Sequence, residues 1–216
     1  MKPIYKTIFV WQHIFILDIF KIFMEFDSVV RRRRSAHSFL KKRASWKAVL
    51  DAVEAANYGP FAGNLNNLRF LIIEEEETIA KVAKHAEQTW IGEAGIIVIV
   101  CSDETTLEDK YGERGRVYSR QQAGAAIETF ILKLADLGLG SCWVGAYSDE
   151  LLKEVLKIPQ HIQIEAVIPV GYEDKKSYEK KPKKKELENS IYWENWGNGK
   201  RPTIFKEPID PMQFKR

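Results

Sequence analysis

The sequence predicts an α+β fold, organised as one domain with an extended carboxy-terminal tail. The chain has 216 residues, of which 45% are hydrophobic and 12% aromatic, which is enough for one sizeable core. Continuous β-branched runs typical of buried strands and apolar residues at helical spacing both occur along the chain. We find no internal repeat and no flexible linker that would separate two domains. A single core built from helices and strands is therefore expected.

Residues 1–23 are rich in Ile and Phe, and we interpret them as an extension outside the functional fold. The apolar residues are interrupted by Lys6, Asp18 and Lys21, and no small-residue cleavage site follows them. A membrane span normally needs about 20 predominantly apolar residues with few or no charges. We therefore expect no stable membrane association, and we place the functional domain at 24–216. A weak membrane anchor and a helix that packs on a partner are the alternative interpretations.

The strands and helices follow from the pattern of apolar residues. The run 96–101 is continuous and β-branched, as expected for a central strand that is buried on both faces. The next stretch, 102–118, is charged and contains two glycines, which predicts a loop or a mobile lid. Ser45 and Ser148 are candidate helix N-caps. The predicted helices are 45–59, 78–86, 123–137 and 150–158, and the remaining predicted strands are 70–73, 141–144 and 164–170.

The tail differs in composition from the rest of the chain. From residue 174 it is rich in Lys, and aromatic residues return at 191–197. Because so many aromatic side chains should not be left in water, we expect the tail to pack on its own domain or on a second subunit.

The distribution of charge argues against a nucleic-acid partner. Net charge is only +3, and the basic residues are concentrated at 31–34 and 180–185. A chain this close to neutral exerts little long-range attraction on a polyanion, and no recognised nucleic-acid motif is present. A nucleic-acid surface built on the two basic clusters remains the alternative interpretation.

The cysteine and histidine residues set limits on the chemistry. Cys101 and Cys142 lie in apolar, strand-like runs, which is typical of free thiols in a reducing compartment, so we expect a cytoplasmic protein. The four histidines are scattered and form no metal-binding pattern, so we expect no metal site. We find no Ser-His-Asp, Cys-His or paired-carboxylate constellation, and no catalytic side chain is predicted.

The stretch from Arg33 to Phe39 is a candidate phosphate site. Arg33 and Arg34 offer two planar forks of donors, and the Ser35 hydroxyl adds a short neutral donor beside them. An arginine run alone is more often a solvated basic face or a nucleic-acid patch. The segments that follow it along the chain favour the phosphate interpretation.

Four segments, in the right order, resemble the FMN-dependent nitroreductase family. Residues 33–39 resemble its Arg-Arg-Ser-x-Arg-x-Phe type motif, and 60–68 resemble its Pro-Ser-x-x-Asn-x-Gln-Pro-Trp type loop. The third segment, 123–145, runs from Ala-Gly-Ala-Ala to Gly-Leu-Gly-Ser-Cys-Trp-Val-Gly, and 171–197 resembles the family's ending. Any one motif is weakly specific, but four of them in order over about 25–197 identify the chain as a candidate member.

The resemblance implies a fold and an activity. The fold would be nitroreductase-like, with a central, mostly antiparallel β-sheet surrounded by helices. Two subunits would form a homodimer with FMN at the interface, and the tail, about 174–216, would pack on the partner subunit. Hydride would pass from NAD(P)H through flavin N5 to a nitroaromatic, quinone or similar small-molecule acceptor in a ping-pong cycle. The cofactor would carry this chemistry while the protein supplies position and electrostatics.

The resemblance also implies which residues bind the flavin. They are Arg33, Arg34, Ser35, His37, Pro60, Phe61, Asn64, Asn66, Gln122, Trp143, Val144, Gly145 and Lys184. The two arginines and the serine would hold the FMN phosphate, with help from Lys184 or its lysine neighbours 183 and 185. His37 stands where the family often has Arg or Lys, so that contact would depend on pH.

The remaining implied contacts concern the flavin ring. Asn64 would hydrogen-bond the pyrimidine side, and Asn66 takes the place of the family's usual Gln. Phe61 would add an apolar wall where a Ser is commoner, and Gln122 stands at a position that is often acidic. Val144 and Gly145 would bring the backbone close to the ring, with a main-chain N–H directed toward N5. Trp143 would flank the ring; its other interpretation is a strand core residue.

Several functions stay open at this point. A superfamily relative that acts in dehalogenation or flavin fragmentation would keep the same fold, and a flavin-binding redox sensor would show little turnover. The choice between NADH and NADPH is open because no G-x-G-x-x-G follows a strand. Tyr111, Arg114, Arg116 and Tyr118 are candidate substrate or nicotinamide contacts.

Overall fold

The computed structural model describes residues 26–175 and 185–201. The chain divides into two compact units, residues 1–177 and 178–216. The predicted extension 1–23 and Lys184 lie outside the described residues. Within those residues, no helix combines the length and apolarity that crossing a membrane requires, and no group of three or more His, Cys, Asp or Glu side chains could hold a metal ion.

A four-stranded antiparallel sheet forms the centre of the first unit. Its strands are β1 (Leu68–Ile73), β2 (Ile96–Asp103), β3 (Gly140–Ser141) and β4 (Ile162–Gly171), in the spatial order β1-β2-β4-β3. Every residue of β2 except the last is buried, because helices cover both faces of the sheet. The predicted central strand and the predicted antiparallel sheet are both confirmed.

The alternation of side chains along β2 divides the core into two clusters. Ile96, Val98 and Val100 point into the first cluster, which contains apolar residues of α2 (Trp46–Ala56) and α5 (Glu113–Asp136). Ile97, Ile99 and Cys101 point into the second cluster, which contains apolar residues of α3 (Glu76–His85) and α6 (Asp149–Leu156). The sheet is thus the middle layer between two helical layers.

The long helix α5 forms because its apolar residues recur every three or four positions. Ala123, Ala126, Ile127, Phe130, Ile131 and Leu134 are all fully buried on the same face. This stripe was the basis for the predicted helix 123–137, and the structure extends the helix ten residues further toward the amino terminus, to Glu113. Ser45 and Ser148 occupy the cap positions of α2 and α6, although neither side chain bonds the backbone there.

The expectation of a loop over 102–118 is wrong. The end of β2, the short helix α4 (Thr105–Tyr111) and the first turns of α5 occupy this stretch. Leu107 of α4 is fully buried, and Gly115 lets α5 approach α4 closely. A Cβ at Gly115 would lie 2.6 Å from the Glu108 backbone nitrogen. Gly112, with φ of +59°, makes the turn between the two helices.

Ion pairs link the first half of α5 to the residue that precedes α4 and to strand β4. Arg120 Nε lies 3.1 Å from Glu104 Oε1 and 3.6 Å from Glu165 Oε1, and the two glutamate side chains are 10% and 8% exposed. Ser102 Oγ donates a hydrogen bond to Glu165 Oε1 at 2.6 Å. The ion pair of Arg43 with Glu76 is exposed at both ends, in contrast.

Two further described segments lie before and after these elements in the sequence. The helix α1 (Phe26–Arg32) precedes the Arg33–Phe39 stretch. In the second unit, residues 185–201 contain a 3₁₀ turn at Leu187–Ser190, and the rings of Tyr192 and Trp196 meet edge-on at 5.1 Å. The packing of the tail on a partner subunit stays a prediction.

Candidate functional site

The Arg33–Phe39 stretch lies along the β3 edge of the sheet. Ser35 pairs with Ser141 of β3, and the Ala36 N–H donates to the Ser141 carbonyl at 3.0 Å. Ala36 and Phe39 are buried and anchor the stretch, whereas Arg33 and Arg34 are half-buried and Ser35 is exposed. A Cβ at Gly171 would lie 2.8 Å from Phe39 Cδ1, so the phenyl ring packs directly on that glycine. Backbone pairing therefore holds the candidate phosphate donors in place.

His37 and Cys142 meet beside this stretch. His37 Nε2 lies 3.5 Å from Cys142 Sγ, and the imidazole ring contacts Trp90 edge-on at 4.7 Å. Burial raises the pKa of Cys142, while a hydrogen bond with Ser35 and the charge of Arg33 oppose that shift. Cys142, which follows β3, thus lies close to Arg33, Ser35 and His37, three of the predicted phosphate contacts.

Gln122 of α5 organises the loop 60–67. Its Oε1 accepts a hydrogen bond from the Ala62 N–H at 3.0 Å, and its Nε2 donates to the Leu65 carbonyl at 3.1 Å and to Asn67 Oδ1 at 2.6 Å. Gln122 is only 4% exposed. The buried amide therefore replaces water as the partner of the loop backbone. The resemblance implies that Gln122 contacts the flavin; the structure adds its hydrogen bonds to the loop.

Asn67 continues this buried network. It is 7% exposed, and its Nδ2 donates to the Asp103 carbonyl and to Ser119 Oγ, both at 2.8 Å. Neither Asn67 nor Ser119 was predicted as a site residue. An asparagine just ahead of a strand looks like any loop asparagine in the sequence, and only its burial distinguishes it.

Asn64 and Asn66 differ in what their amides contact. Asn66 Nδ2 donates to Asn57 Oδ1 at 2.9 Å, and Asn66 Oδ1 accepts from the Leu68 N–H at 3.0 Å. Asn64 is exposed, has φ of +58°, and makes no side-chain hydrogen bond with any described residue. The geometry thus favours Asn64 as the amide that is available to a ligand.

Val144 and Gly145, the two predicted backbone contacts after β3, differ in whether their N–H groups are already bonded. Val144 and Val167 exchange both of their main-chain hydrogen bonds, at 3.0 and 3.1 Å, so the Val144 N–H points to β4. The Gly145 N–H has no partner among the described residues, and a Cβ there would meet nothing within 4 Å. Of the two residues predicted to bring the backbone to the flavin, Gly145 is therefore the one whose N–H is open to a ligand. Trp143 is 39% exposed, and its ring lies 3.8 Å from the Cβ position of Gly124.

Two of the segments predicted to bind flavin, the loop 60–67 and the stretch after β3, lie beside the middle of α5. Gln122 holds the loop 60–67, and the Trp143 ring lies beside Gly124, 3.8 Å from where a Cβ would be. A pocket of about 230 Å³, the loop–helix pocket, lies where the loop meets the helix. Its lining residues are Pro60, Ala62, Tyr118, Gln121, Gln122 and Ala125. Two larger surface pockets, about 600 and 480 Å³, are lined by none of the predicted site residues.

An α+β fold with two half-buried arginines beside the sheet edge, an open main-chain donor and a small pocket beside one helix is compatible with a cofactor-binding oxidoreductase. The nitroreductase family model matches residues 30–94 and 82–172, more than half of the chain. The chain therefore belongs to the nitroreductase family, which is a family of enzymes.

Three relatives illustrate the range of this family. An Archaeoglobus fulgidus protein named "Putative NADH dehydrogenase/NAD(P)H nitroreductase" is 27% identical over 156 residues, 69% of this chain and 87% of the relative. The iodotyrosine deiodinase of Thermotoga neapolitana is 26% identical over 165 residues, 68% of this chain and 87% of the relative. The solved structure of an FMN-dependent nitroreductase from Clostridium difficile R20291 superposes with a TM-score of 0.65, covering 78% of this chain and 98% of that one at 20% identity. The structural likeness confirms the predicted nitroreductase-like fold.

Proposed function

We propose that this protein is an FMN-dependent oxidoreductase that passes hydride from NAD(P)H, through flavin N5, to a nitroaromatic, quinone or similar acceptor in a ping-pong cycle. The observation that carries the proposal is the meeting of the predicted flavin segments along α5. Gln122 bonds the loop 60–67, the Trp143 ring lies beside Gly124, and the Arg33–Phe39 stretch pairs with β3 just before that tryptophan. Family membership and the FMN dependence of the Clostridium relative support it.

The residues present fit FMN. The half-buried Arg33 and Arg34 and the hydroxyl of Ser35 suit a phosphate, and Lys184, outside the described residues, would add a further charge. The open amide of Asn64 can both donate to and accept from a pyrimidine edge. The Gly145 N–H offers a donor where charge would develop at N5. When bound, FMN supplies the hydride-accepting centre, and these residues bind and orient it.

We further propose that FMN lies at the interface of a homodimer in the cytoplasm. Asn64 and Gly145 are exposed in the single chain, and a ring bound between them and a second subunit would be shielded from water. Both cysteines are free and buried, which suits a reducing compartment. Light scattering of the FMN-loaded protein should give the mass of a dimer; a monomer that retains FMN would contradict this arrangement.

The test of the activity is steady-state kinetics with NADH or NADPH against a nitroaromatic or quinone acceptor. A ping-pong cycle gives parallel double-reciprocal lines when the acceptor concentration is changed. Converging lines would contradict the ping-pong cycle. A protein that holds FMN but is barely reduced by either nucleotide would favour the redox-sensor alternative.

A matched pair of variants tests the phosphate cradle. Replacing Arg33 and Arg34 together by Gln should weaken FMN binding by at least about a hundredfold, since hydrogen bonds between charged groups contribute about 1.5–3 kcal/mol each. Replacing Arg31 and Arg32 by Gln removes the same charge from the exposed end of α1 and should change FMN affinity little. Equal losses in both variants would mean that only overall charge matters.

Reductive dehalogenation is a second candidate function. The observation that favours it is the similarity to the Thermotoga iodotyrosine deiodinase over 68% of this chain. Halide release from an iodinated or brominated phenol by the reduced protein would establish it. Reduction of nitroaromatics without halide release would leave the first proposal alone.

A further inference from the structure

Two tyrosines and two cations lie together where α4 meets α5. The Tyr111 and Tyr118 rings meet edge-on, with their centroids 5.3 Å apart. Lys110 Nζ lies 5.5 Å from the centre of the Tyr111 ring, and the Arg114 guanidinium lies 5.6 Å from the centre of the Tyr118 ring. These distances are within the range in which a ring face attracts a cation. We name these four residues the tyrosine–cation shelf.

The shelf borders the loop–helix pocket. A Cβ at Gly63 would lie 2.5 Å from Tyr111 Oη and 2.7 Å from Lys110 Nζ, so both side-chain ends rest on that glycine. The next residue is Asn64, whose amide is open to a ligand. Tyr118 lines the pocket itself. The shelf and the predicted flavin loop therefore form adjacent walls of one site.

Lys110 of α4 and Arg114 of α5 differ in their ion pairing from Arg116 and Arg120 of α5. Arg116 pairs with Glu108, and Arg120 pairs with two buried glutamates, so their charges are neutralised within the protein. Lys110 and Arg114 make no ion pair with any described residue, although Asp109 and Glu113 are adjacent in sequence. Two oriented positive charges at the edge of a small pocket are therefore available to a ligand.

We propose that Lys110 and Arg114 recognise an anionic group on the aromatic ligand that enters the loop–helix pocket. This inference rests on the proposed function and narrows its substrate class. The pocket volume of about 230 Å³ is below the range of about 300–1,000 Å³ for drug-sized ligands, which suits a single substituted ring. The anion is a carboxylate on the acceptor or a phosphate of the nicotinamide nucleotide; both would be bound by the same two charges.

The test compares 4-nitrobenzoate with its neutral counterpart, 4-nitrobenzamide. Calorimetry on the FMN-loaded, oxidised protein gives the two dissociation constants, and kinetics gives KM for NADH and NADPH. The variants are Lys110→Gln, Arg114→Gln and the double variant. Arg116→Gln is the matched control. The sequence names Arg116 as a candidate contact, but its ion pair with Glu108 occupies the guanidinium, and the change removes one positive charge from the helix of Arg114.

We expect 4-nitrobenzoate binding to weaken about threefold in each single variant and about tenfold in the double variant, as for exposed ion pairs. Binding of 4-nitrobenzamide and the Arg116→Gln control should change little, and the effect should shrink as salt is added. A rise in KM for NADH and NADPH with unchanged 4-nitrobenzoate binding would also support the site and would assign the anion to the nucleotide.

Binding of the two nitro compounds and uptake of FMN are measured separately, so each can fail without the other. FMN-loaded protein that binds both nitro compounds equally, with all constants unchanged in the double variant, would overturn the anion site and leave the oxidoreductase proposal standing. Purified protein that takes up no FMN would contradict the oxidoreductase proposal. The same calorimetric preference for 4-nitrobenzoate, lost in the double variant, would still support the anion site in that protein.

Discussion

Replacement of Gln122 by Leu tests whether the buried amide holds the loop 60–67. Leu fills a similar volume but can neither donate nor accept a hydrogen bond. The change removes the bonds to the Ala62 N–H, the Leu65 carbonyl and Asn67 Oδ1. Helix α5 should persist, because Leu has a good helix propensity and the stripe of apolar residues is unaltered.

The magnitude follows from the burial of the three partners. Asn67 is 7% exposed, so loss of its donor leaves a buried oxygen unsatisfied, which costs about 1–3 kcal/mol. Ala62 and Leu65 are half-buried, and water can replace part of what each loses, at a cost of about 0.5–1 kcal/mol each. The free energy of unfolding should therefore fall by about 3 kcal/mol.

Equilibrium urea unfolding at a fixed protein concentration measures this change, since the stability of an oligomer depends on concentration. Gln121→Leu is the matched control, because Gln121 is an exposed neighbour on the same helix with no hydrogen bond to a described residue. It should stay within about 0.5 kcal/mol of the unaltered protein. FMN should also bind more weakly to Gln122→Leu, because Asn64 lies in the released loop. If the free energy of unfolding of Gln122→Leu fell by less than about 0.5 kcal/mol, the buried amide would not be what holds the loop.

The other predictions concern packing, ion pairing and pH. Gly115→Ala should destabilise the protein by about 1–3 kcal/mol in urea unfolding, because its Cβ would meet the α4 backbone; Gly124→Ala, with an ordinary contact of 3.8 Å, should be neutral or slightly stabilising. Arg120→Met should cost about 2 kcal/mol in the same assay, since two buried carboxylates lose their partner, whereas Arg43→Met, from an exposed pair, should cost less than about 0.5 kcal/mol. Burial raises the pKa of Cys101 from 9.0 to about 11, so the unfolded thiol loses its proton first and stability should fall between pH 9 and 11. If the stability of a Cys101→Ala variant fell as steeply between pH 9 and 11, the pH dependence would not come from Cys101.

The elements with a strong local pattern could be predicted from the sequence. Strand β2 is a continuous β-branched run, and α5 has a complete apolar stripe, so each signals its own structure. Helix α4 gives no such signal, because Leu107 is its one buried residue and its position depends on packing against Gly115. Its helical state is set by tertiary contact, which single-sequence patterns do not report.

The candidate site could likewise be predicted only in part from the sequence. The resemblance located the segments that contain Arg33, Asn64 and Gly145, and the structure brings the loop, β3 and α5 together. The sequence could not show that the Val144 N–H is used by β4, nor that the Asn66 amide is bonded at both ends. Both facts depend on which backbone groups face each other after folding.

The visible absorption spectrum of the purified protein, recorded anaerobically before and after NADH and then NADPH, shows whether this protein binds FMN and takes hydride from a nicotinamide nucleotide. We expect a yellow protein that bleaches with at least one nucleotide and releases FMN on denaturation. A colourless protein that also fails to take up added FMN would contradict the account, and Arg33 and Arg34 would then be part of a basic surface only.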